Sequence, residues 1–205
     1  MCVSHRIETF REDLTNLENY ELLLKYIYSS KIWYFYDYLG CTEGECMNMI
    51  DSLHLSVSDS FGVSFKNVIV VGSAKIGFSL NPNNPLRSFD SDNDKPSDLD
   101  VAIVSSDYFR RCWDMLRSNT SIRYRHNYNK VSRSVYNGYV PFAALQEVKE
   151  IRKDFNDSKR RANIRLQKEI GIRHSVNFRV YRSWRDLEDY HVVGIEQIKR
   201  KVRNE

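Results

Sequence analysis

Two pairs of residues in this chain have the types and spacing to handle a phosphorylated ligand. Asp98 and Asp100 stand two apart, at the head of the apolar run Val101-Ala102-Ile103-Val104. On a strand, residues i and i+2 share a face, so both carboxylates point the same way. Carboxylates so placed can hold a pair of Mg²⁺ ions about 3.5–4 Å apart, which bridge phosphates, polarise a phosphorus and stabilise a leaving pyrophosphate. The second pair, Gly72-Ser73, follows Asn67-Val68-Ile69-Val70-Val71. Gly72 lets the backbone turn sharply and come close to a ligand. Ser73 offers a hydroxyl and backbone N–H groups at a helix start, where phosphate is favoured. Lys75, two residues on, either adds a charge beside that phosphate or is a solvated helix lysine.

Elements must position these groups. Four β-branched apolar residues, Val68–Val71, predict a strand buried on both faces, and residues 98–104 predict a second. A short helix should follow Ser73. Residues 81–97 form a polar loop rich in Pro and Asn. Its Asp90, Asp92 and Asp94 would repel a nucleotide or form a mobile lid. A helix is expected over about 106–116, capped by Ser105 or Ser106. Residues 117–140 read as irregular, basic and Tyr-rich, and residues 143–170 as a charged helix stopped by Gly171. Residues 175–181 alternate polar and apolar, as a half-buried strand does, and 184–203 form a last helix, weakened near Gly194. Upstream, Leu14, Leu17, Leu24 and Ile27 predict a helix over 11–39 that stops at Gly40. The aromatic run Ile32-Trp33-Tyr34-Phe35-Tyr36-Asp37-Tyr38 reads as a buried helix end rather than a surface for stacking bases. A second helix over 44–58 should turn Met47, Ile50 and Leu53 inward. The expected fold is α/β (α+β): a short mixed sheet backed by helices. An acidic helical N-terminal segment, 1–60, packs on a core domain, 61–205.

At Gly72-Ser73 and Asp98-Leu99-Asp100 the chain resembles the nucleotidyltransferase superfamily of the DNA polymerase β type. That family carries Gly-Ser on one strand-to-helix turn and Asp-x-Asp on the next strand. The resemblance is direct over about residues 66–105 and follows the order of elements through 181. GSAKIGFS over 72–79, and the long insertion before SDLDVAIV, look more like small bacterial defence enzymes than replication polymerases. Such enzymes include cyclic-oligonucleotide synthases and the Hailong anti-phage type. The resemblance implies a polymerase β-like fold and Mg²⁺- or Mn²⁺-dependent transfer of a nucleoside monophosphate. The donor would be an NTP or dNTP, ATP among them, and the acceptor a hydroxyl. It implies Asp98 and Asp100 as catalytic metal ligands, and Gly72, Ser73 and Lys75 as nucleotide-binding residues. It also implies a single-stranded nucleic acid or protein acceptor, template-free synthesis, an anti-phage or toxin–antitoxin setting, and a partner effector protein.

Two departures bear on that reading. The family has a third carboxylate on a later strand, which completes the metal site and helps deprotonate the acceptor. By order of elements that strand is 175–181, which holds Asn177 and Arg179 but no acid. Asn177 could lend a carbonyl oxygen to a metal but could not act as a base. Asp186, Glu188 and Asp189 fall on the next helix. Three alternatives remain open: a different strand alignment, a weakened metal site, or a non-catalytic module that binds nucleotide, nucleic acid or a partner protein. The gap from Ser73 to Asp98, 25 residues, also exceeds that of minimal members.

Charge and composition narrow the setting. None of the 205 residues belongs to an apolar run of the roughly 18 needed for a transmembrane helix. The first ten residues lack the apolar core of a signal peptide. Cys2, Cys41, Cys46 and Cys112 fit reduced thiols in the cytoplasm. Cys41 and Cys46 lack a second pair at zinc-ligand spacing. The net charge of +4 divides into −6 over residues 1–60 and +10 over 61–205. The second part therefore suits an anionic partner. Otherwise the two parts neutralise each other, within the chain or between copies in a homo-oligomer. Arg110, Arg111, Arg117, Arg123, Arg125, Lys130 and Arg133, interleaved with Tyr124, Tyr128, Tyr136 and Tyr139, are either a strand-binding surface or a solvated connector.

Overall fold

The computed structural model describes residues 3–92, 96–118, 129, 131–140 and 149–203. Four strands form one mixed sheet: β1 (Val68–Val71), β2 (Leu99–Val104), β3 (Tyr139–Val140) and β4 (Val176–Tyr181), in the order β1-β2-β4-β3. β1 and β2 are antiparallel, β2 and β4 parallel, and β3 and β4 antiparallel. A parallel pair needs a long crossover. Helices α5 (Ser106–Ser118) and α6 (Lys149–Ile170) lie within it, as do helical residues 131–136; further helices are α1 (Val3–Asn16), α2 (Asn19–Leu22), α3 (Glu43–Phe61), α4 (Ser73–Ile76) and α7 (Trp184–Arg203). The molecule is a mixed α and β structure with a small four-stranded sheet.

The strand period of two separates two apolar layers. Val68, Val70, Leu99, Val101, Ile103, Val176, Phe178 and Val180 face one layer, which includes Leu53, Val57 and Phe61 of α3, Leu116 of α5 and Phe155, Ala162 and Leu166 of α6. Val71, Ala102, Val104 and Tyr181 face the other, with Phe10, Leu14, Leu22, Tyr26 and Ile27 from the N-terminal segment and Leu187, Ile195 and Ile198 from α7. The sheet is therefore covered on both sides, which explains the unbroken apolar run in β1.

The N-terminal segment departs from the expected continuous helix over 11–39. α1 stops at Asn16, and Glu18 starts α2 through a capping box in which the Glu21 carboxylate accepts from Glu18 N–H at 2.9 Å. Two wide π-type turns follow, Leu23–Ile27 and Tyr34–Tyr38. Tertiary contacts impose this course. Phe10 meets Tyr26 edge-on with ring centres 4.8 Å apart, and Lys25 pairs with Asp13 at 2.5 Å, folding the chain back on α1. The first half of the aromatic run is inside, with Ile32, Trp33, Tyr34 and Phe35 all buried, while Tyr36 and Asp37 are partly buried and Tyr38 is exposed. In α3, Leu53 is buried and Ile50 partly so, but Met47 is 59% exposed, because the layer beneath that end of α3 is filled by Cys46. A short strand, β3, occupies residues expected to be irregular. α7 runs unbroken through Gly194.

α3 begins at Thr42, where a second capping box forms: the Glu45 carboxylate accepts from Thr42 N–H at 2.9 Å and from the Thr42 hydroxyl at 2.7 Å. Thr42→Ala removes this start signal and should lower stability by about 1 kcal/mol in urea unfolding.

Candidate functional site

The second sheet face is open at one end, forming a cleft of about 1030 Å³. Three strands reach it at the same level. Val71, the last residue of β1, pairs with Asp100 of β2, and Asp100 pairs with Asn177 of β4. Gly72, Ser73, Asp98, Asp100, Asn177 and Arg179 all line the cleft, with Tyr139, Tyr181, Tyr190 and His191 along its far wall. The Gly-Ser turn and the Asp-x-Asp pair, 25 residues apart in sequence, are thus brought together.

Gly72 is required by this closeness. Its φ is +71°, and a Cβ built there would lie 2.6 Å from an oxygen of Asp100. Any other residue would be strained and would displace the carboxylate. Ser73 opens α4, a single turn whose Gly77 N–H donates to Ser73 O at 2.8 Å.

Lys75 is placed elsewhere. Its amine donates to the backbone carbonyl of Ser29 in the N-terminal segment, the residue is 3% exposed, and it is not among the residues lining the cleft. On a one-turn helix, a position two beyond Ser73 faces away from Ser73. Burial pulls its amine down to about 8. The expected phosphate contact is replaced by a tether between α4 and the N-terminal segment.

The carboxylates differ in environment. Asp98 is exposed, while burial raises Asp100 to about 6 from 3.8, an effect that Asp98 adds to and the Arg179 charge opposes. Lys159 of α6 lies within electrostatic reach of Asp98; its amine is lowered by burial and raised by that carboxylate, with burial the larger. Arg179 is held by tyrosines. Its guanidinium carbon is 4.7 Å from the Tyr190 ring centre and 5.4 Å from that of Tyr139, and Nη1 donates to the Tyr181 hydroxyl at 3.3 Å. His191 is lowered to about 4 by burial and by Arg179, so its ring is neutral, and its Nε2 has no hydrogen-bond partner among the described residues.

Among the described residues no three His, Cys, Asp or Glu side chains converge on a metal position. The oxygen donors that β2 and β4 bring to the Gly72-Ser73 turn are Asp98, Asp100 and the side-chain amide of Asn177. That set fits Mg²⁺, which takes one or two carboxylates and keeps several waters. The half-buried Asp100 carboxylate, whose charge is disfavoured by its partial burial, fits it as well.

The acidic insertion is tied at its root. Asp90 N–H donates to Ser97 Oγ at 2.9 Å, and Ser97 N–H donates to the Asp90 carboxylate at 3.2 Å. Tyr38 donates to the same carboxylate at 2.9 Å, and this bond foremost holds it below the usual carboxylate range. Asp90 therefore clasps the loop just before Asp98. Asp92 lines the cleft, and Asp94 lies outside the described residues. So do Arg123, Arg125, Lys130, Tyr124 and Tyr128 of the basic run. Of the rest, Arg110 pairs with Asp107 at 3.4 Å on the surface, and Arg111 covers the Tyr108 ring at 4.8 Å. No residue of 1–60 lines the cleft among those described.

In the sequence Tyr139 belongs to the basic, Tyr-rich run and Arg179 stands on the strand that lacks the expected acid, while Tyr181, Tyr190 and His191 carry no functional signal of their own. The alternation Asn177-x-Arg179-x-Tyr181 was a signal for three of the cleft residues; the α7 pair left no pattern of its own.

Asp100→Asn removes a buried charge. With a folded pKa above the unfolded one, the wild-type fold binds protons more tightly between about pH 4 and 6, and loses that stabilisation as pH rises through 6. In metal-free buffer above pH 7 the variant should be more stable by about 1–3 kcal/mol, and the gain should vanish near pH 4. Urea titrations at the two pH values check this. Comparison with protein-family models, with curated proteins and with solved structures found no match.

Proposed function

We propose that the cleft binds a nucleoside triphosphate and that the chain is a Mg²⁺-dependent nucleotidyltransferase. It would move a nucleoside monophosphate from an NTP or dNTP to a hydroxyl of a nucleic acid strand or protein. One observation carries this reading: the Gly72-Ser73 turn packs directly against Asp100, in register with a third strand. This is the arrangement that the resemblance to polymerase β-type enzymes implies for a phosphate-holding turn beside metal-binding carboxylates.

Each residue has a physical task. Asp98 and Asp100 would hold the metal from one strand face, with the Asn177 amide oxygen beside them. Bound there, Mg²⁺ would supply charge neutralisation along the phosphates. Gly72 admits the phosphate chain close to the backbone, and Ser73 donates from its hydroxyl and N–H. Tyr139, Tyr181, Tyr190 and His191 line the cleft beside these groups.

A second reading has its own support. Asn177 stands level with Asp100, where a third carboxylate would be needed to accept a proton, and Arg179 follows on the same face. An amide cannot be a base. This favours a module that binds a nucleotide without transferring it.

Incubating the protein with each labelled NTP and dNTP plus Mg²⁺ or Mn²⁺ tests both. Pyrophosphate release with labelled product is expected, and Asp98→Ala with Asp100→Ala should abolish it while the far-UV spectrum is unchanged. Release that survives the double substitution would sink the assignment. Binding without consumption would favour the second reading.

A further inference from the structure

The nucleotide-binding reading leaves Arg179 without a task, although it sits in the floor of the cleft. β4 presents Asn177, Arg179 and Tyr181 in alternation on the cleft face. Asn177 is level with Asp100, and Arg179 is one pleat further, level with Ala102. Ala102 has only a methyl group, which leaves room over β2 for the long side chain. The charge reaches Asp100 electrostatically.

What holds the guanidinium matters. It is fixed by the ring faces of Tyr139 and Tyr190 and by the Tyr181 hydroxyl. The contacts described for it are with tyrosines, not with a carboxylate at ion-pair distance. A cation held in this way keeps its charge for an arriving anion, and its planar fork suits phosphate oxygens. A triphosphate brought against Asp98 and Asp100 is repelled unless cations stand between them. Asn177 adds no negative charge to this pair, and Arg179 adds a positive one.

We propose that Arg179 is a built-in cation of the cleft, which binds the phosphate chain directly and takes the place of one of the two divalent ions that a carboxylate-rich site would need. The inference rests on the nucleotide-binding reading above. It predicts a site that retains phosphate-chain affinity without metal and needs one divalent ion rather than two.

Calorimetric titration of inorganic tripolyphosphate, a base-independent probe, and of each NTP tests this in EDTA and in excess Mg²⁺. Wild type should bind tripolyphosphate in EDTA. Arg179→Gln should weaken that binding at least about tenfold, and Arg179→Lys, which keeps the charge but not the fork, should fall between. A thermal melt of each variant reports whether the fold persists. The wild-type titration in EDTA judges the proposal even if Arg179→Gln does not fold. Wild type that binds only with Mg²⁺ overturns the role of Arg179 and leaves the nucleotide-binding reading intact. So does a folded Arg179→Gln variant that binds as tightly as wild type in EDTA. Wild type that binds no NTP in Mg²⁺ overturns both.

Discussion

The parallel register between β2 and β4 is the constraint on which the rest depends. Asp100 pairs with Asn177, and Ala102 with Arg179. Side chains alternate along a strand, so a slip of one residue would turn Asn177 and Arg179 into the α3–α6 layer and Phe178 out into the cleft. The apolar partners forbid that slip. Phe178 packs on Phe61 with ring centres 4.9 Å apart, and Val176 and Val180 are buried on the same side. The core on one face of the sheet thus decides which polar groups meet on the other.

A cost accompanies that placement. Asp100 is buried deeply enough to raise its carboxyl to about 6, and Asp98 adds to the strain. Arg179 offsets part of it. Such an arrangement is poor for an isolated fold and suited to a site that receives a cation or a cationic partner. Arg179 would itself be costly to bury, but three tyrosines supply ring faces and a hydroxyl around it. Where β2 and β4 meet, the cleft is therefore a balance of Asp98, Asp100 and Arg179, each tolerable because of its neighbours.

The N-terminal segment supports the site without entering it. It joins the rest of the chain through apolar packing of Phe10, Leu22, Tyr26 and Ile27 on Phe78, Leu187 and Ile198, with Asp59–Arg165 at 3.0 Å as an ion pair between the two parts. Lys75 reaches into it at Ser29, and Tyr38 reaches out of it to Asp90. Tyr34 and Tyr38 also flank His174, which leads into β4. These contacts fasten the α4 turn, the root of the acidic loop and the start of β4 to one aromatic cluster.

By itself the sequence determined the local elements that carry strong periodicity: β1, β2, β4, α5 and most of α6 and α7. It also determined that Asp98 and Asp100, two apart at the head of an apolar strand, fall on one face, and that Gly72-Ser73 ends the strand before them. Those features depend on backbone period and on residues close in the chain. Only the tertiary structure decided what stands opposite them. Lys75 is two residues from Ser73, yet its side chain is claimed by Ser29, 46 residues away. The expected single helix over 11–39 gives way to shorter pieces because Tyr26 and Lys25 must reach Asp13. Arg179, unremarkable in sequence, becomes central once β3 and α7 deliver Tyr139 and Tyr190 to it. Long-range packing assembles such groups, and no local pattern records it.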